Sequence, residues 1–113
     1  MIDQVRPAEL AAWFAQTAAD GMPVLLDVRE PWEVQTARIE IPGASAVHIP
    51  MHLIPLRLAE LPRTQPVACI CHHGARSAQV VAFLLRQGFD DVYNLAGGID
   101  AWSTHVDPGV PRY

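Results

Sequence analysis

The chain has 113 residues, 50% of them hydrophobic, with 8 basic and 12 acidic side chains and a formal net charge of −4. That fits one soluble domain with one core, spanning residues 1–113, and the lack of any basic cluster argues against a nucleic-acid partner. No apolar run approaches the roughly 20 residues of a membrane helix, and Met1-Ile2-Asp3-Gln4 lacks the basic start and apolar core of a signal peptide, so a cytoplasmic protein with no membrane partner is expected.

In chain order, Pro7 to Thr17 is predicted to be a helix, with Pro7 early and Leu10, Ala11 and Phe14 on one face. Asp20-Gly21-Met22-Pro23 is a turn, and Val24 to Val28 is a buried strand. Glu30 to Arg38 is a short helix with Pro31 at its start. Ala44 to Ile49 is a second strand, closed by Pro50. Met51 to Leu61 is a short or kinked helix, because Pro55 lies near its beginning. After Thr64-Gln65-Pro66 comes a short buried strand, Val67-Ala68-Cys69-Ile70. Ser77 to Gln87 carries apolar residues at Val80, Val81, Leu84 and Leu85, which is helical spacing, and Gly88 stops that helix in a left-handed conformation. Val92 to Leu95 is the last core strand. Gly97-Gly98 turns into a short helix through Trp102, and residues 107–113, with Pro108 and Pro111, form an extended tail.

Short strands alternating with helices imply an α/β fold of three layers, a mostly parallel central sheet with helices on both faces. Such sheets bind ligands beyond the carboxyl ends of their strands. Two segments follow strands and fall at that end, Asp27-Val28-Arg29 and the turn Cys71-His72-His73-Gly74-Ala75-Arg76-Ser77.

This second segment carries the chemistry. Cys71 sits where a strand gives way to a helix, and a helix N-terminus offers free N–H donors and partial positive charge. The same field that cradles an anion stabilises a thiolate at its edge. Gly74 permits the backbone conformations of a tight nest, and Arg76 adds a permanent, forked positive charge. One nucleophile, a ring of donors and an arginine point to covalent chemistry on an anionic substrate.

The cysteine-x-x-glycine-x-arginine-serine loop resembles the active-site loop of the rhodanese-like sulfurtransferases. Leu26-Asp27-Val28-Arg29-Glu30, Ile41-Pro42-Gly43-Ala44 and the stretch from Gly88 to Trp102 resemble other segments of that family, in family order. The middle turn departs from the family pattern, with Arg38-Ile39-Glu40 where glycine and histidine commonly stand. The resemblance implies the three-layer fold and sulfur transfer by a Cys71 persulfide. A small anionic donor such as thiosulfate would give its outer sulfur to Cys71, and cyanide or a small-molecule or protein thiol would remove it. His72, His73, Gly74, Ala75, Arg76 and Ser77 would form the substrate-binding loop, with Asp27 and Arg29 supporting it. No cofactor and no metal is expected.

Four residues separate Cys71 from Arg76. Cysteine-dependent phosphatases and some arsenate reductases, some sharing the resembled fold, use five; by analogy with these families the smaller nest suits a single sulfur atom on Cys71 and the larger a tetrahedral oxyanion, a distinction the residues alone do not make. A binding or regulatory module without catalysis is the other alternative. Ser77 serves equally as a helix cap or as a partner of the nucleophile. Asp27 and Arg29 read first as bracing and ion-pair residues. Cys69 reads as a small buried hydrophobe, the alternative being a thiol that captures an oxidised or persulfidated Cys71. His48 and His52 have a helical ligand separation that Pro50 spoils, and three adjacent residues, Cys71-His72-His73, rarely surround one ion.

Overall fold

The computed structural model describes residues 3–17 and 23–113. Its elements are β1 (Gln4–Val5), α1 (Pro7–Thr17), β2 (Val24–Asp27), α2 (Pro31–Thr36), β3 (Ser45–His48), β4 (Val67–Ile70), α3 (Ala75–Arg86), β5 (Val92–Leu95) and α4 (Gly98–His105). The strands form one sheet in the order β1-β5-β4-β2-β3, with every pair parallel. β2 and β4 are buried at all four positions, as strands covered on both faces must be.

The alternation of side chains along the strands divides the core in two. Val24, Leu26, Val67, Cys69 and Val92 face Val80, Val81 and Leu84 of α3, together with Ile54 and Leu61. Leu25, Ala68, Ile70 and Leu95 face Leu10 and Phe14 of α1 and Ile99 and Trp102 of α4. Val80, Val81 and Leu84 are no more than 3% exposed, so each contributes about 1.5–3 kcal/mol of burial.

Several elements differ from the sequence expectation. β1 was not expected; its two residues pair with Asn94 and Leu95. The helix expected over residues 51–61 is two short 3-10 turns, Met51–Leu53 and Leu58–Glu60. Pro55 has no N–H to give to the Met51 carbonyl, which accepts from Ile54 instead at 3.2 Å. α2 stops at Thr36, and Ala37 and Ile39 turn into the core, each 4% exposed. α3 starts at Ala75 rather than Ser77, because Gly74 caps it in a left-handed conformation at φ +103°. Gly88 takes the expected left-handed stop at φ +92°. α4 runs on to His105. The tail turns at Asp107–Val110, where the Val110 N–H bonds back to the Asp107 carbonyl, and Val110 joins the core. In the expected turn over residues 20–23, Asp20, Gly21 and Met22 lie outside the described residues. No helix among the described residues is long and apolar enough to cross a membrane.

The parallel register sets the site. Ile70 of β4 is paired with Asp27 of β2, and Val28 N–H continues the ladder to the Ile70 carbonyl at 3.1 Å. Cys71 and Arg29 therefore leave neighbouring strands at the same carboxyl edge.

Candidate active site

Cys71 is the first residue past the central strand, and it is 1% exposed. The loop folds back over its sulfur. Gly74 N–H donates to Sγ at 3.0 Å, and Ser77 Oγ lies 3.3 Å from Sγ. Ser77 is fully buried in the first turn of α3 and does not cap it. Its hydroxyl also meets Asn94 Oδ1, while Asn94 Nδ2 donates to Gln4 Oε1 at 3.0 Å and to the Gly74 carbonyl at 3.1 Å. A hydroxyl has one proton to donate. The Cys71 sulfur, the Asn94 carbonyl oxygen and the Gly74 carbonyl therefore compete for it.

The outer side of the loop rests on α4. Ile99 N–H donates to the Cys71 carbonyl at 2.9 Å and Asp100 N–H to the His72 carbonyl at 3.1 Å. Two orphan amides of a helix start thus satisfy two loop carbonyls. Only glycine allows this approach at position 98, where φ is +63°.

Arg76 is paired with Glu33. Its two terminal nitrogens grip the two carboxylate oxygens at 2.7 and 2.8 Å. Glu33 is 3% exposed and also accepts from Glu30 N–H at 3.0 Å and from Tyr113 OH at 2.8 Å. The Arg76 hydrogen bonds, opposed by burial, hold the Glu33 carboxyl down at about 2.

Arg29 is fully buried. It pairs with Asp27 at 2.7 Å and donates to the carbonyls of Glu33 and Ala37 and to Tyr113 OH. Asp27 and Arg29 thus brace the β2 edge, and they reach the Cys71 loop through Tyr113. The Tyr113 ring stacks on His72, with centroids 3.9 Å apart and planes 8° apart. Burial is the main cause that pushes its phenol up to about 12.

The remaining predicted residues fall around this frame. Ala75 is exposed at the start of α3, and His73 is exposed on the rim. His72 stacks between His73 and Tyr113, and burial, then its neighbour His73, lowers its pKa. The structure adds Asp100 to the two histidines, with all three ligand atoms within 4.8 Å of one another. The stacked rings lie only 28° from parallel, so their in-plane lone pairs run side by side rather than converging on one ion. His48 bonds to the Arg29 carbonyl at 2.7 Å and His52 lies 3.7 Å from Glu30, so these two serve separate neighbours. Cys69 is fully buried, its thiol pushed up by burial, and neither cysteine is in a disulfide.

Sequence reasoning missed Glu33, Asn94, Gly98 as a loop support, and Tyr113. A polar Asn94 inside an otherwise apolar strand was the one visible signal among them.

A sulfur with two donors at a helix start, on the carboxyl edge of a parallel sheet, has counterparts among known proteins. The rhodanese-like domain family model matches residues 10–105. The chain belongs to the rhodanese-like family. It is 45% identical over 97 residues to a sulfurtransferase of Allochromatium vinosum, covering 85% of this chain and 87% of that one. It is 34% identical over 90 residues to thiosulfate sulfurtransferase GlpE of Pseudomonas syringae pv. syringae, covering 80% and 81%. The crystal structure of a rhodanese-related protein from Thermoplasma volcanium superposes with a TM-score of 0.77 at 29% identity, over 98% of this chain and 99% of the other. As in that structure, this rhodanese-like domain is α/β with a central parallel sheet.

Proposed function

We propose that this rhodanese-like domain is a sulfurtransferase whose nucleophile is Cys71. The observation that carries the reading is the closure of the loop on Sγ, with Gly74 N–H donating at 3.0 Å and the Ser77 hydroxyl within reach at 3.3 Å, at the N-terminus of the 12-residue helix α3. Donors fixed in advance around a buried sulfur stabilise negative charge there without reorganising. The sulfurtransferase relatives support the same reading.

The transfer runs in two halves. Cys71 thiolate attacks the outer sulfur of thiosulfate. A new S–S bond forms, the old one breaks, and sulfite leaves with the electron pair. Cys71 then carries a persulfide whose terminal charge faces the loop amides. In the second half an acceptor attacks that terminal sulfur and returns the thiolate: cyanide leaves as thiocyanate, and a thiolate leaves as a persulfide. The partners are a small anionic sulfur donor and a small-molecule or protein thiol, and no cofactor takes part.

A phosphatase or arsenate reductase reading is weaker on a specific ground. Phosphoryl transfer needs cationic donors aimed at the oxyanion, and both terminal nitrogens of Arg76 are held by Glu33.

The deciding experiment is intact-mass spectrometry after thiosulfate treatment. The wild type and Cys69→Ser should gain about 32 Da, removed by cyanide, and Cys71→Ser should gain nothing. An adduct on Cys71→Ser that is missing from Cys69→Ser would assign the chemistry to the other thiol.

A further inference from the structure

Each of three arginines around the Cys71 loop already has a carboxylate. Arg29 pairs with Asp27 at 2.7 Å, Arg76 with Glu33 at 2.7 Å and Arg112 with Asp100 at 2.9 Å. Arg29 is sealed in the core with its donors filled by Asp27, Tyr113 and two carbonyls. On the rim, Glu30 has His52 beside it, at 3.7 Å. The positive field at the sulfur is therefore that of backbone amides at the start of α3, with the three arginine charges cancelled in pairs.

Arg76 is the cation this balance turns on, because it stands in the first turn of α3 between Gly74 and Ser77, the two residues that touch the Cys71 sulfur. Its side chain is 36% exposed, so it could swing toward a donor only by letting go of Glu33, whose side chain is 4% exposed. That would strand a buried carboxylate without its cation. Tyr113 OH and Glu30 N–H fix the same carboxylate from its other sides, so the fork stays filled.

We infer that Glu33 is a specificity-determining residue: by cancelling Arg76 it makes the Cys71 site favour monoanionic sulfur donors over dianionic ones. The inference rests on the sulfur-transfer reading above. A dianion entering a site whose arginines are all neutralised finds no free side-chain cation for its second charge, while the cost of taking it out of water rises more steeply than its gain from the amides.

Two probes separate charge from chemistry. Thiosulfate is a dianion, and methanethiosulfonate is a monoanion in which a methyl group replaces one charged oxygen. In both, Cys71 thiolate bonds to the outer sulfur while the S–S bond breaks, and sulfite or methanesulfinate leaves with the pair. The measurement is the second-order rate of Cys71 persulfide formation with each probe, normalised to that of a free thiol. Wild type should favour methanethiosulfonate. Glu33→Gln should shift the ratio toward thiosulfate by about tenfold, the effect of one uncancelled charge near the site. Arg76→Gln should shift it about tenfold the other way. The double variant keeps the wild-type net charge and should return to within about threefold of the wild-type ratio.

A merely structural Glu33 would lower both rates together. Unchanged ratios in the single variants, or a wild-type preference for thiosulfate, would overturn the inference while leaving sulfur transfer intact. If Glu33→Gln fails to fold, Arg76→Gln and the double variant carry the same comparison. No adduct on wild-type Cys71 from either probe would overturn sulfur transfer itself, and the selectivity with it.

Discussion

The backbone of Gly98 is packed against the carbonyl of His72, and a Cβ added at Gly98 would lie 2.5 Å from that oxygen and from the oxygen of Cys71. The contact exists because the next two amides, of Ile99 and Asp100, bond to the same two carbonyls. The start of α4 is thus a template for the loop that carries the sulfur.

Gly98→Ala should therefore damage the site beyond its backbone strain. Gly43, at φ +86° with nothing within 4 Å of an added Cβ, isolates the strain alone. Gly43→Ala should cost about 1–2 kcal/mol. Gly98→Ala should cost more than this in urea unfolding and slow Cys71 persulfide formation at least about tenfold, because a shift of an ångström in a positioned nucleophile is costly. Equal effects of the two variants on persulfide formation would show that the α4 contact does not position the loop.

Ser77→Ala removes the proton for which Cys71, Asn94 and the Gly74 carbonyl compete. It leaves Asn94 Oδ1 buried without that donor, at a cost of about 1–3 kcal/mol in stability. The persulfide should also form about tenfold more slowly, since a donor to the anionic sulfur is gone. Stability and rate are separable here: Asn94→Ser on its own loses the bonds to Gln4 and the Gly74 carbonyl and should cost stability, yet it leaves the Ser77 hydroxyl beside the sulfur and should largely keep the rate. A rate that falls as far in Asn94→Ser as in Ser77→Ala would mean that the hydroxyl acts through packing.

Glu33 gives the fold a sensitivity to acid. Its carboxyl titrates at about 2, below its ordinary value of 4.5. Because the folded value is the lower one, its contribution is complete above about pH 4.5 and is lost as pH falls toward 2. The shift corresponds to at most about 3 kcal/mol, reduced by solvent screening around the partly exposed Arg76. Urea unfolding of wild type and Glu33→Gln should differ most at pH 7 and converge near pH 2–3. A gap that stays constant over this range would mean that the charge of Glu33 is not what stabilises the pair.

Tyr113 joins three parts of the site, with its hydroxyl between Arg29 and Glu33 and its ring on His72. Tyr113→Phe keeps the ring and should cost about 1–2 kcal/mol for a hydrogen bond to charged partners. Tyr113→Ala also removes the stack and should cost at least 1 kcal/mol more, by loss of buried aromatic surface. Thermal or urea unfolding of the two variants side by side checks the order.

Much of this arrangement was legible in the sequence because it is local. Val67–Ile70 is an unbroken apolar run bounded by Pro66 and the Cys71 loop, and it forms the expected strand. The periodicity of Val80, Val81 and Leu84 gave the buried face of α3. The misses are of two physical kinds. β1 is two residues long, too short for any period to show. Glu33 and Tyr113 depend on partners 43 to 84 positions away, and nothing in a neighbourhood of ten residues encodes them. Ser77 was weighed as a helix cap because serine commonly caps. The left-handed Gly74 took that place, and this carried Ser77 inward to the sulfur.

The pairing of Gln4 with Asn94 has a consequence for the order of assembly. Asn94 N–H bonds to the Asp3 carbonyl and its side chain bonds to Gln4 Oε1, while the same side chain meets Ser77. These contacts join residues 90 positions apart, and closing so long a loop is slow compared with forming a helix. On a ribosome, Cys71 emerges well before β5, so the thiol spends the last part of synthesis without its finished setting. The polar setting of Cys71 is complete only when the edge strand β1 is docked on β5.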